Sequence, residues 1–244
     1  MFFTRIPVGK IAYSQKALNS SSKYLPLIGW LVGGISGVTL ILFSLILPLE
    51  LAVIISMGIS ILITGAFHED GFADFCDGFG GGWTRDKILI IMKDSRIGAF
   101  GVIGMIMLLL TKFISLTEIP LNILPVSMLA GHTLSRYSSV LLIFTHEYVR
   151  DDQESKTKPI GKSIKNKELI FASVTGLLPF ILFPSAGFLV IIPAVLMIKF
   201  LFARYTKKRI GGYTGDCLGA LQQLTEGSFY IFILIYMKMY NFMV

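Results

Sequence analysis

The chain has 244 residues, of which 54% are hydrophobic and only 15% charged, and its mean hydropathy is +0.72. That composition excludes an ordinary water-soluble domain, in which about a quarter of the residues are charged, and it identifies an all-α, polytopic integral membrane helix bundle. The formal net charge of +7 lies mostly in the loops between apolar runs, which fits orientation in a bilayer and contact with anionic membrane lipid rather than nucleic-acid binding.

The amino-terminal Met-Phe-Phe-Thr-Arg5-Ile-Pro7 lacks a charged stretch followed by an apolar core, so no cleaved signal peptide is expected. Runs long enough to span lie at about 27–47, 51–67, 98–117, 122–144, 168–184, 186–203 and 218–240, each near the ~20 residues a spanning helix needs. They predict about seven transmembrane helices in a single domain over 1–244. Gly33, Gly34 and Gly37 in the first run permit close helix packing. The segments 1–26, 68–97, 145–167 and 199–213 hold 19 of the 22 Lys and Arg residues. Positive charge concentrates on the cytoplasmic side, so these segments and the amino terminus are expected on the cytoplasmic side of the inner membrane, and an odd helix count would put the carboxyl terminus outside. Cys76 and Cys217 stand alone, without metal-site spacing, and read as packing residues.

Three polar segments interrupt the apolar pattern, all on the predicted cytoplasmic side. The first begins His68-Glu69-Asp70 and continues through Asp74 and Asp77 to Gly80-Gly81-Gly82. On a helix, at about 100° per residue, Asp70, Asp74 and Asp77 sit near 0°, +40° and −20°, on one face. Like charges 4 Å apart repel by about 4 kcal/mol at an effective dielectric near 20, so such a cluster beside a bilayer calls for a cation. All-oxygen ligands select a hard ion, and Mg2+ pairs one or two carboxylates with substrate phosphates. Asp70, Asp74, Asp77 and Glu69 are the candidate metal ligands, and these four with His68, Asp94 and Asp216 are the candidate catalytic groups. His68 suits either a general base or a structural hydrogen bond to a carboxylate. A short amphipathic stretch, Thr84 to Lys93, is expected to lie along the membrane surface, and Lys93-Asp94-Ser-Arg96 follows it.

The second segment is the basic loop 146–167, with Arg150, Asp151, Asp152, Lys158 and Lys162. Its lysines suit a flap over phosphates, although orientation alone also explains them. The third runs from Gly211-Gly212 through Gly215-Asp216 to Gln222, Gln223 and Glu226. Helical spacing gathers Asp216, Gly219, Gln222, Gln223 and Glu226 into one arc, with Gly219 placed to let a substrate or a neighbouring helix approach the backbone. The glycines before it could form an anion-cradling turn. Arg136, in the fourth run, could pair with substrate phosphate or with one of the acids. Candidate substrate-binding residues are therefore Arg96, Arg136, Lys158, Lys162, Gly212, Asp216, Gln223 and Glu226.

Phe3-Thr4-Arg5-Ile6-Pro7, the block Gly65 to Asp74 with Asp77-Gly78 and Gly80-Gly81-Gly82, Met92-Lys-Asp94-Ser95-Arg96-Ile97-Gly98, and Gly211-Gly212-Tyr-Thr-Gly-Asp216-Cys-Leu-Gly219-Ala with Glu226 together resemble the cobalamin synthase family, the adenosylcobinamide-GDP ribazoletransferases. The blocks follow one another in family order over nearly the whole chain. The resemblance implies that the 3′-hydroxyl of α-ribazole, or of its 5′-phosphate, attacks the phosphoryl group carried by adenosylcobinamide-GDP and expels GMP.

Two other classes use related features. CDP-alcohol phosphotransferases and aromatic prenyltransferases also mount aspartates on transmembrane helices to hold Mg2+ and a diphosphate, but the first of these has Asp-Gly-x2-Ala-Arg where this chain has Asp74 after Ala73. A cation-coupled transporter would also place carboxylates at membrane depth.

Overall fold

The computed structural model describes residues 4–7, 19–150 and 164–243, without the side chains of 241–243. Among the described residues helix is the regular secondary structure, joined by short turns and with one isolated bridge between Tyr148 and Tyr213. In chain order the helices are α1 (Leu25–Ser44), α2 (Leu49–Thr64), α3 (Phe67–Gly81), α4 (Arg85–Ile91), α5 (Ala99–Glu118), α6 (Leu124–Thr145), α7 (Asn166–Leu177), α8 (Ile191–Ile210) and α9 (Gly215–Met243). Short 3-10 turns precede α1 and link α7 to α8.

The bundle is organised around α6, whose residues from Ser127 to Val140 are almost all buried. α1 lies against it along a stripe of small residues. A Cβ on Gly29 would lie 2.5 Å from the carbonyl oxygen of His132, and one on Gly33 would lie 2.8 Å from the Leu129 Cα. Gly29, Gly33 and Gly37 recur every fourth residue and turn one face toward α6, so the two backbones touch directly, which is how helices pack where lipid offers no hydrophobic driving force. Gly34 meets nothing within 4 Å.

Four helical stretches have the length and hydropathy to cross a membrane: Asn19–Ser44, Ala99–Glu118, Ala186–Ile210 and Gly215–Tyr240. Leu49–Thr64 with Phe67–Gly81 makes a fifth if that bent pair counts as one span. This is a multi-pass membrane protein, with fewer qualifying spans than the seven expected. The difference has two sources. α6 has the length, but its run of serines with His132 and Arg136 makes it polar, and the other helices enclose it. The run at 168–184 breaks at Leu177, where Pro179 follows and the chain tightens into a 3-10 turn. The outer faces of α1, α5 and α8 expose Val38, Leu42, Ile103, Met107, Met197 and Phe200, as lipid-facing helices do.

Two local features place the polar segments. Gly65 and Ala66 both adopt left-handed backbone, φ 68° and 59°, and turn α3 by 89° from α2. The carboxylate-bearing helix is thereby laid across the bundle instead of continuing the span. At the end of α6 the chain runs beside the segment before α9: Val149 N–H donates to the Tyr213 carbonyl at 3.0 Å, and Tyr213 N–H to that of Glu147 at 3.0 Å. The expected surface stretch is the seven-residue α4, capped by the Thr84 hydroxyl, which accepts from Lys87 N–H.

Candidate active site

The crossing of α3 over the start of α9 builds the site. A Cβ on Gly71 would fall 3.1 Å from the backbone of Asp216, and one on Gly219 would fall 3.1 Å from the carbonyl oxygen of His68. Two glycines in register thus bring the helices into backbone contact, and Asp70 and Asp74 on one helix come to face Asp216 on the other. Gly219 serves a neighbouring helix. Asp74 is half-buried and lies in the fields of Asp216, Asp70 and Asp77, opposed by Arg150. The Arg150 guanidinium pairs with Asp216 at 2.6 Å and donates to the Met92 carbonyl at 3.2 Å. Pairing of 146–150 with 211–214 sets that contact. Gly212 belongs to this pairing, since the Glu147 carbonyl occupies the space of its missing side chain.

Asp77 faces elsewhere. Its two carboxylate oxygens accept from the backbone N–H groups of Gly98, at 2.7 Å, and Gly101, at 2.8 Å. It therefore caps the start of α5, whose own N-cap residue is a glycine without a side chain. Nearby, Arg96 binds both oxygens of Asp94, the shorter contact at 2.7 Å, and this holds the Asp94 carboxyl down at about 2. Arg96 itself is exposed.

Glu69, Gln223 and Glu226 belong to a buried network. Lys112 on α5 pairs with Glu226 at 2.5 Å and donates to Gln223 at 3.2 Å. The other Glu226 oxygen meets His132 at 3.1 Å and accepts from Gln222 at 2.6 Å. Gln223 in turn donates to Glu69 at 2.8 Å. Polar groups at this depth are costly unless satisfied, and this network ties α3, α5, α6 and α9 together. Arg136 and His68 are buried beside it. Lys158 and Lys162 lie outside the described residues.

Three residues gained roles that sequence reasoning had not assigned. In the sequence Arg150 stands out only as part of the basic loop. Lys112 is a lone cation inside an apolar run, and an ionisable group there requires a partner. Gln222 shared the predicted polar arc without being singled out. Among the described residues no three His, Cys, Asp or Glu side chains form a preformed metal cage. Mg2+ does not require such a cage, because it takes one or two carboxylates and completes its shell with water and substrate phosphate.

The sequence matches the family model described as cobalamin-5-phosphate synthase over residues 1–234. Three similar proteins, each named adenosylcobinamide-GDP ribazoletransferase, come from Shewanella amazonensis (43% identical, covering 96% of this chain and 92% of that one), Ralstonia pickettii (44%, covering 92% and 89%) and Leptospira interrogans (42%, covering 96% and 92%). No solved structure matches. With a match across almost its entire length, the chain belongs to the cobalamin-5-phosphate synthase family.

Proposed function

We propose that this protein is an adenosylcobinamide-GDP ribazoletransferase that completes the nucleotide loop of a cobamide. The 3′-hydroxyl oxygen of α-ribazole, or of its 5′-phosphate, forms a bond to the phosphorus attached to cobinamide. The bond from that phosphorus to the bridging oxygen breaks, and GMP leaves with the electron pair. The ribose proton passes to a carboxylate of the cluster where α3 crosses α9.

Asp70, Asp74 and Asp216 would hold Mg2+, which when bound would neutralise charge on the diphosphate and the departing GMP. Arg150 keeps Asp216 in place through their ion pair. Arg96, exposed at the turn into α5, and Lys158 and Lys162 of the basic loop supply positive charge for the phosphates. Placement of the site on the cytoplasmic face of the inner membrane follows from the Lys and Arg distribution. The apolar outer faces fit a lipid surround. Membership of this family removes the support for the CDP-alcohol phosphotransferase, prenyltransferase and transporter readings.

The observation that carries the proposal is the α3–α9 crossing, which brings Asp70 and Asp74 to Asp216 in a chain of this family. Membranes carrying the protein, given adenosylcobinamide-GDP, α-ribazole and Mg2+, should release GMP and form a complete cobamide, and Asp74→Asn should abolish both. Full turnover by Asp74→Asn would refute the role given to this cluster.

A further inference from the structure

Arg5, in the block Phe3-Thr4-Arg5-Ile6-Pro7, is fixed to the elbow between α2 and α3 at two points. Its backbone N–H donates to the Ile63 carbonyl at 2.7 Å, one of the acceptors that the end of α2 cannot satisfy within its own helix. Its side chain lies along the bare face of Gly65, where an added Cβ would strike the Arg5 Nε and stand 3.2 Å from its Cδ and Cγ. Glycine is thus required at this position twice, by the left-handed backbone and by the side chain lying on it.

The elbow opens directly onto the carboxylate helix. Asp70 N–H donates to the Ala66 carbonyl at 2.9 Å, so Ala66 and Asp70 share one face of α3 and lie about 5 Å apart along its axis. Arg5 and Asp70 are both exposed, and neither side chain has an ion-pair or hydrogen-bond partner among the described residues. Arg96, Arg150 and Lys112, by contrast, already hold Asp94, Asp216 and Glu226. An uncommitted guanidinium one turn from an uncommitted carboxylate, with the two not closed on each other, leaves between them a place for a group that answers to both, an anion carried with a cation. Bilayer orientation and the dipole of α2 each account for a positive charge here, but they do not distinguish arginine from lysine.

We propose that Arg5 is a substrate-binding residue that grips the guanosine-side phosphate of adenosylcobinamide-GDP, the phosphate that departs as GMP. The assignment rests on the transferase reading and adds to it the group that receives the leaving charge. When the bond from the cobinamide-side phosphorus to the bridging oxygen breaks, the electron pair stays on that oxygen, and the departing phosphate gains one negative charge. A planar guanidinium can meet two oxygens of that phosphate at once, and its hydrogen bonds strengthen as the charge grows. This division leaves the carboxylates, one turn along α3, to the phosphorus under attack.

The test compares the purified enzyme with Arg5→Gln and Arg5→Lys in three measurements: GMP release with each substrate varied in turn, equilibrium binding of radiolabelled GMP, and the thermal unfolding midpoint in detergent. Arg5→Gln should lower kcat/KM for adenosylcobinamide-GDP by at least about tenfold, the worth of one charge-assisted hydrogen bond. It should weaken GMP binding in step and leave the KM for α-ribazole unchanged. Arg5→Lys keeps the charge beside α2 and loses the fork, so its unfolding midpoint should match that of the unaltered protein while GMP binding and kcat/KM return only in part. Unchanged kcat/KM and GMP binding in Arg5→Gln would overturn the assignment. So would a loss that follows a lowered unfolding midpoint and is fully restored by Arg5→Lys, since a charge at the end of α2 would then suffice, or a loss confined to the KM for α-ribazole. Absence of turnover in the unaltered enzyme would overturn the transferase reading, and the role of Arg5 with it.

Discussion

Replacing Asp77 by Asn separates a structural carboxylate from a metal ligand. Asp77 is buried, and its two oxygens accept from Gly98 N–H at 2.7 Å and Gly101 N–H at 2.8 Å. Asparagine keeps one acceptor and turns an NH2 group toward the other N–H. One hydrogen bond to a charged group is lost, worth about 1.5–3 kcal/mol. The interaction of a carboxylate with the start of a helix, worth about 0.3–1 kcal/mol, goes with it. The expected destabilisation is about 2–4 kcal/mol, read by denaturant unfolding in detergent micelles against the unaltered protein. GMP release per folded molecule, and its dependence on Mg2+ concentration, should change little. An Asp77→Asn protein with unaltered stability and no Mg2+-dependent turnover would refute the reasoning and return Asp77 to the metal.

Glu226→Gln removes one partner of a buried pair and leaves the Lys112 charge uncompensated, which should cost about 3–5 kcal/mol in the same unfolding assay. Adding Lys112→Met should recover much of that loss, and a double-mutant cycle with no recovery would show that the two residues are not coupled. At the α3–α9 crossing, Gly71→Val pushes a branched side chain into the Asp216 backbone, which cannot move aside as a side chain can. GMP release should fall by at least about tenfold, with overpacking costing about 1–3 kcal/mol of stability, whereas retained activity would mean that the crossing does not set the site. Removal of divalent cations with EDTA should stop GMP release, and added Mg2+ should restore it.

The one-faced spacing of Asp70, Asp74 and Asp77 was legible because helical periodicity is a local property. All three aspartates do lie on the helix Phe67–Gly81. What periodicity does not contain is which neighbour packs on that face. The start of α5 takes Asp77, and α9 brings Asp216 to the other two. The same limit applies to the polar arc of α9. Its members were visible as one stripe, but that Glu226 would pair with Lys112 and His132, and Gln223 with Glu69, depends on partners from α5, α6 and α3, the nearest of them 94 residues away. The first run announced a close helix contact through its glycines. The number of spans was less legible, because hydropathy averages over a helix. α6 carries its polar residues toward other helices rather than toward lipid, and a window sum does not register direction.

The account stands most directly on the Mg2+ dependence of GMP release from adenosylcobinamide-GDP and α-ribazole, measured side by side for the unaltered enzyme, Asp74→Asn, Asp216→Asn and Asp77→Asn. Turnover should require the cation and be lost in Asp74→Asn and Asp216→Asn, while folded Asp77→Asn keeps it. Turnover in EDTA, or loss in Asp77→Asn with retention in Asp216→Asn, would contradict the site built by the α3–α9 crossing.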